Sequence, residues 1–151
     1  MTHATTETRT DPVGVLAVQN VLASQWEEIT VLRDAGWVDV TLHRIADLAY
    51  LKDNWDSYGS PPPSGSAMHA AVSMLAKIGD IDRFLPAPHV MPVSGGGVAV
   101  EWSGGERELE VEFLPDGEAE FLTVVHGEPL NEGALDSAEA LSERLRWLMD
   151  A

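Results

Sequence analysis

Glu108-Leu109-Glu110-Val111-Glu112-Phe113 alternates charged and apolar residues at every step, and it lies at the centre of the stretch from Gly97 to Val125. A period of two marks a strand with one buried and one wet face. Upstream, Val98, Val100 and Trp102 repeat that period, and Ser103-Gly104-Gly105-Glu106 separates the two runs as a four-residue hairpin loop. Downstream, the three-residue loop Pro115-Asp116-Gly117 leads into a third strand that ends near Val125. The expected product is an antiparallel meander. With these loop lengths Val100 faces Leu109, Val98 faces Val111, Val111 faces Phe121 and Phe113 faces Ala119, which makes one continuous apolar face.

The same register gathers acids on the other face. Glu101 falls opposite Glu108 and Glu112 opposite Glu120, with Glu110 between them and with Leu122 and Val124 on the same side. From Val98 to Glu120 there are eight acids and a single base, Arg107. Directly opposed like charges cost roughly 0.2–1 kcal/mol per pair, so a sheet selected for stability alone would mix Lys into this face. One reading is a docking surface for a basic partner. The other is a solvated face whose repulsion is weakened by salt and whose glutamates discourage pairing with other sheets. Leu122 and Val124 then require either a covering helix at that end or a place in an interface.

Around the meander the chain reads as helical. The chain has 151 residues, 44% of them hydrophobic, and five Trp; that is enough apolar material for one core without staples. Residues 1–12 are polar and Thr-rich, and the expectation is a flexible tail followed by a single α+β domain over residues 13–151. Val15, Leu16, Val18, Leu22 and Trp26 recur at helical spacing in a first helix up to about Glu28, which the turn signal Asp34-Ala35-Gly36 follows. A second helix begins with Thr41 as cap, carries Leu42, Ile45, Leu48 and Ala49, and ends near Asp53-Asn54. Ser64 or Ser66 caps a third, bearing Met68, Ala71, Val72, Leu75 and Ile78 and stopped by Gly79. His89-Val90-Met91-Pro92-Val93 reads as an edge strand, because Pro92 has no N–H for a ladder. A last helix starts at Asp136 or Ser137, with Glu139 placed for a capping box, and buries Leu141, Leu145 and Leu148. The expected fold is therefore α+β, a three- or four-stranded meander packed against two or more helices.

Composition excludes several classes of function. The formal net charge of −16 repels nucleic acid and anionic membranes and favours basic partners or cations. With no cysteine there are no disulfides, thiolate catalysis or Cys-ligated zinc, and the cytosol is the default compartment. The N-terminus lacks the basic-then-apolar layout of a signal peptide, and the run from Val13 to Ala23 is too short to span a bilayer. None of the five histidines has a second one at i+4, the spacing that puts two zinc ligands on one helix face. Asp53 and Asp56, with Asp80 and Asp82, are candidates for a hard cation, but they lack the spacing of an EF-hand loop and read more simply as turn-closing acids. No serine sits in a Gly-x-Ser-x-Gly elbow, and Gly95-Gly96-Gly97 precedes a strand where a phosphate loop would open a helix. Trp55 and Tyr58 read as anchors pinning their loop to the core. No catalytic residue, metal site or cofactor is expected.

The loop Trp55-Asp56-Ser57-Tyr58-Gly59-Ser60-Pro61-Pro62 is followed by Leu85-Pro86-Ala87-Pro88, Gly96-Gly97-Val98, Glu101-Trp102, Glu108-Leu109-Glu110-Val111 and Asp116-Gly117. In that order these motifs resemble a family of small uncharacterised bacterial proteins, with a tryptophan-aspartate-x-tyrosine-glycine loop, a helix and a glycine-led acidic meander. The resemblance runs from Leu51 to Val125, implies a bacterial or phage origin and transfers no catalytic residue. The expected function is a non-catalytic acidic module that sequesters a basic protein, as an antitoxin, immunity protein or phage inhibitor does. Its contacts would be Glu101, Glu108, Glu110, Glu112 and Glu120, with Leu122 and Val124 as an apolar component. The alternatives are a metal-dependent hydrolase using Asp53, Asp56 and a histidine, and an assembly subunit that forms a homo-oligomer through the first helix.

Overall fold

The computed structural model describes residues 36–150. The expected tail over residues 1–12 and the first helix, with its role in self-association, lie outside the described residues. Helix α1 spans Trp37–Asp47 and continues as a 3-10 turn, Leu48–Tyr50, and α2 spans Gly65–Ile81. Five strands follow: β1 His89–Val93, β2 Gly97–Gly104, β3 Arg107–Phe113, β4 Ala119–Val125 and β5 Glu128–Ala134. Helix α3, Ala138–Met149, closes the described chain. The strands form one sheet in the order β1-β2-β3-β4-β5, and every neighbouring pair is antiparallel. The fold is α+β, with five strands where three or four were expected. No helix among the described residues is long and apolar enough to cross a membrane.

One face of the sheet is sealed by helices. Val98, Val100 and Trp102 of β2, Leu109, Val111 and Phe113 of β3, and Phe121 of β4 join a buried cluster with Met68, Val72 and Leu75 of α2 and Leu141, Leu145 and Leu148 of α3. Helix α1 adds Trp37, Val38, Leu42 and Ile45 to the same cluster. Trp37 and Trp102 meet edge to face at 6.3 Å, a favoured geometry for aromatic pairs. Their indole N–H groups donate to the carbonyls of Asp82 and Pro86, at 3.1 and 3.0 Å. Two buried rings thereby hold the segment that leads from α2 into β1.

The register of β2 on β3 differs from the expected one by two residues. Val98 faces Phe113, Val100 faces Val111 and Trp102 faces Leu109. The connecting loop is Gly105-Glu106 alone, since Gly104 already pairs with Arg107. Of these two loop residues only Gly105 has positive φ, 61°, as in a type II′ hairpin. A two-residue loop is tighter than the four expected, yet the buried set survives, because a shift of two keeps every side chain on its face. The register of β3 on β4 is as expected, with Val111 facing Phe121 and Phe113 facing Ala119.

Strand β5 was not anticipated. All seven of its residues are exposed, so it shows no burial alternation, and Pro129, Asn131 and Gly133 are poor strand formers. It forms because His126 and Gly127 both take positive φ, 53° and 78°, which type I′ hairpins require at both central positions. The His126 amide donates to the Glu106 carbonyl at 2.9 Å and its ring meets the Glu106 carboxylate, also at 2.9 Å. These contacts join the β4–β5 turn to the β2–β3 turn.

Helix boundaries also shift. Thr41 is no cap: it is buried inside α1, where its hydroxyl donates back to the Trp37 carbonyl at 2.6 Å, and Gly36 occupies the N-cap position. The helix and its 3-10 turn end at Tyr50, short of the expected Asp53-Asn54, because Leu51 is extended. Ser64 caps α2 by accepting from the Ala67 amide, and the helix runs through the buried Gly79 to Ile81. Ser137 caps α3 by accepting from the Ala140 amide at 3.1 Å, in place of an Asp136–Glu139 box. Phe113 is fully buried where the sheet meets the helices. Phe113→Ala should therefore lower stability by about 3–5 kcal/mol in urea denaturation, with an unchanged m-value.

Candidate docking face

Helices cover one face of the sheet, and alternation along the strands fixes what lies on the other. Partners across a ladder share a face, so Ala99, Glu101 and Ser103 of β2 stand with Glu112, Glu110 and Glu108 of β3. These in turn stand with Glu120, Leu122 and Val124 of β4, and the first two of those with Ala134 and Glu132 of β5. All seven residues expected at a docking site, Glu101, Glu108, Glu110, Glu112, Glu120, Leu122 and Val124, are thus on one face. The pairing within it is corrected by the β2–β3 register. Glu101 faces Glu110, not Glu108, and Glu108 faces Ser103 on one side and Val124 on the other. Glu112 faces Glu120 as expected.

Two rows cross the sheet here. One runs Glu101, Glu110, Leu122, Glu132; the other runs Ala99, Glu112, Glu120, Ala134. Between them lies an open groove of about 310 Å³ lined by Glu110, Glu112, Glu120, Phe121, Leu122, Glu132, Gly133 and Ala134. Its lining combines four carboxylates with the apolar Phe121, Leu122 and Ala134. Partial burial, then the neighbouring charges of Glu101 and Glu112, push the Glu110 carboxyl above the ordinary range.

Among the described residues, two arginines of the sheet and of α3 point away from this face. Arg107 is on the helical side, where its guanidinium lies 4.9 Å from the Trp147 ring centroid and donates to the Trp147 carbonyl. Arg144 of α3 stacks over Phe121 at 4.0 Å, again on the helical side. His89, opposite Glu101 on β1, is the one basic residue that the ladders place on the acidic face among the described residues. The ion pairs among the described residues, His43 with Asp39 and His126 with Glu106, lie outside both rows.

A second constellation surrounds Asp56. Its Oδ1 accepts from the amides of Tyr58 and Ser60, at 2.9 and 3.2 Å, and its Oδ2 from the hydroxyls of Ser60 and Ser94, at 2.6 and 2.9 Å. The Ser60 hydroxyl first, then the Tyr58 amide, hold this carboxyl well below the usual carboxylate range. Asn54 and Ser57 take positive φ, 66° and 67°, and the Asn54 side chain accepts from the Gly59 amide at 2.8 Å. This is a turn closed by side chains and tied to the β1–β2 turn through Ser94. Trp55 donates to the Pro61 carbonyl at 2.9 Å and secures the loop, whereas Tyr58 is 92% exposed and anchors nothing in the core. Among the described residues no group of three or more His, Asp or Glu stands close enough to hold a metal ion.

Glu132, Gly133 and Ala134 complete the groove and were missed with β5. The signal for them was the dipeptide His126-Gly127, a hairpin turn with no alternating strand after it. No protein-family model matches this chain, and neither a curated protein nor a solved structure does.

The two shifted carboxyls predict opposite pH behaviour. Glu110 is raised, so the folded protein loses stability as pH rises above the ordinary glutamate range. Glu110→Gln should be more stable than wild type by about 0.2–1 kcal/mol at neutral pH, with the gain vanishing in acid. Asp56 is lowered, so its contribution is present above the ordinary aspartate range and lost as pH falls below it. Asp56→Asn should melt lower at neutral pH and converge toward wild type in acid; thermal melts across pH read both effects.

Proposed function

We propose that this protein is a non-catalytic binding module whose acidic sheet face docks onto a basic protein and occludes its working surface, as an antitoxin, immunity protein or phage-encoded inhibitor does. One observation carries the reading. Among the described residues, the face opposite the helices presents Glu101, Glu108, Glu110, Glu112, Glu120 and Glu132 without a Lys or Arg among them, while Arg107 and Arg144 are engaged on the helical side. Packing does not require so many carboxylates in register, and mutual repulsion disfavours it. A cationic partner would relieve that repulsion, lower the raised affinity of Glu110 for its proton and use the half-buried Leu122 and Val124 as apolar contacts. A face of one sign also speeds encounter with an oppositely charged surface. On the resemblance of its Trp55 to Pro62 loop we assign it a bacterial or phage origin, and we place its action in the cytosol.

The test is capture from the native host at low and high salt, with wild type and a Glu108→Lys, Glu110→Lys, Glu112→Lys variant whose fold is checked by circular dichroism. One stoichiometric basic partner should bind wild type, weaken with salt and lose on the order of tenfold or more in affinity for the variant. A partner that binds the variant as tightly as wild type would refute the reading.

A further inference from the structure

We infer that the partner enters as an extended basic segment, which pairs antiparallel along the open edge of β5 and lays alternate Lys or Arg side chains across the groove. This rests on the docking reading above and adds to it the shape and sequence pattern of the ligand.

Strand β5 ends the sheet, and its second edge pairs with nothing among the described residues. The Leu135 amide donates to the Ala119 carbonyl at 2.9 Å, which sets the phase of the ladder on β4. Inward and outward backbone groups alternate along a strand, so Glu132 and Ala134 turn their N–H and C=O away from β4. These are the groups an added strand takes up. The other edge is less suited. There Pro92 has no N–H, α1 packs against β1, and Arg44 donates to the carbonyl of Pro88 just before the strand at 2.8 Å.

The groove supplies the side-chain half of the recognition. A residue paired with Glu132 or Ala134 shares their face and projects over the groove, and only every second residue of the incoming strand does so. Leu122 and Ala134 offer apolar contact for an alkyl stem, and Glu110, Glu112, Glu120 and Glu132 line the groove that its charged head would enter. Lys and Arg have that division into stem and head. The intervening residues fall on the side of Asn131 and Gly133, which are exposed, and need only be polar or small. A second copy of β5 is a poor occupant, because self-pairing would bring Glu132 against like charge. Glu128, Pro129 and the irregularity at Thr123/Val124 further disfavour it at the start of the strand.

The test uses a labelled peptide of alternating Lys and Thr, about eight residues long as strands commonly are, titrated into the full chain at low salt. Two further peptides carry N-methyl groups, one on the Lys amides and one on the Thr amides. In antiparallel pairing the Lys amides face β5 and the Thr amides face solvent. Methylation at Lys should weaken binding on the order of tenfold or more, while methylation at Thr should leave it within about twofold. A Glu110→Gln, Glu112→Gln, Glu120→Gln variant should bind all three more weakly. Equal affinity for the two methylated peptides, or no binding of the parent, overturns strand addition. Equal affinity of wild type and the Gln variant overturns the acidic-face reading itself, so the two failures are distinct.

Discussion

Leu109, Val111 and Phe113 are all buried beneath the helices, and the residues between them have nowhere to go but the opposite face of the sheet. That constraint governs the rest of the molecule. Burial of one side of β3 selects the face of β2 and β4 that must also be apolar, fixes where α2 and α3 pack, and leaves Glu108, Glu110 and Glu112 together on the opposite side. A one-residue slip would exchange the two sets and bury three carboxylates, so the register is held by the full hydrophobic energy of the core.

Electrostatics follows from the same geometry. The chain contains nine Lys and Arg, and two arginines that could have softened the acidic face are used instead to cover Trp147 and Phe121 beneath the sheet. At Glu110, partial burial first and then the charges of Glu101 and Glu112 raise the affinity of the carboxyl for its proton. Asp56 shows the opposite arrangement, a carboxylate whose acceptor positions are filled by two amides and two hydroxyls. Asp56 is satisfied within the fold, whereas burial and like charge raise the affinity of Glu110 for its proton. That contrast separates the structural carboxylate from the one proposed to act.

Much of this architecture was legible in the chain because periodicity reports burial directly. The strands β2, β3 and β4, the edge position of β1 and a serine cap at Ser64 or Ser66 were readable from alternation, proline placement and a hydroxyl before an apolar stripe, and Ser64 is the one that caps. The β2–β3 pairing was misread by two residues because Gly104 and Gly105 both suit a turn, and the sequence does not say which ends the strand. Strand β5 left no trace of period two, since an edge strand uncovered by helices buries neither face. Its only mark was His126-Gly127, and with it went Glu132. Thr41 was mistaken for a cap because a threonine hydroxyl suits a helix start and a back-bond within a helix equally well.

The most direct measurement of the central claim is amide hydrogen exchange of the full chain, free and saturated with its captured partner. Free, the outward amides of Glu132 and Ala134 should exchange fast while β3 is protected. On saturation, protection should appear over residues 119–134, with α2 and α3 unchanged. New protection confined to the helices, with β4 and β5 as in the free protein, would contradict the account.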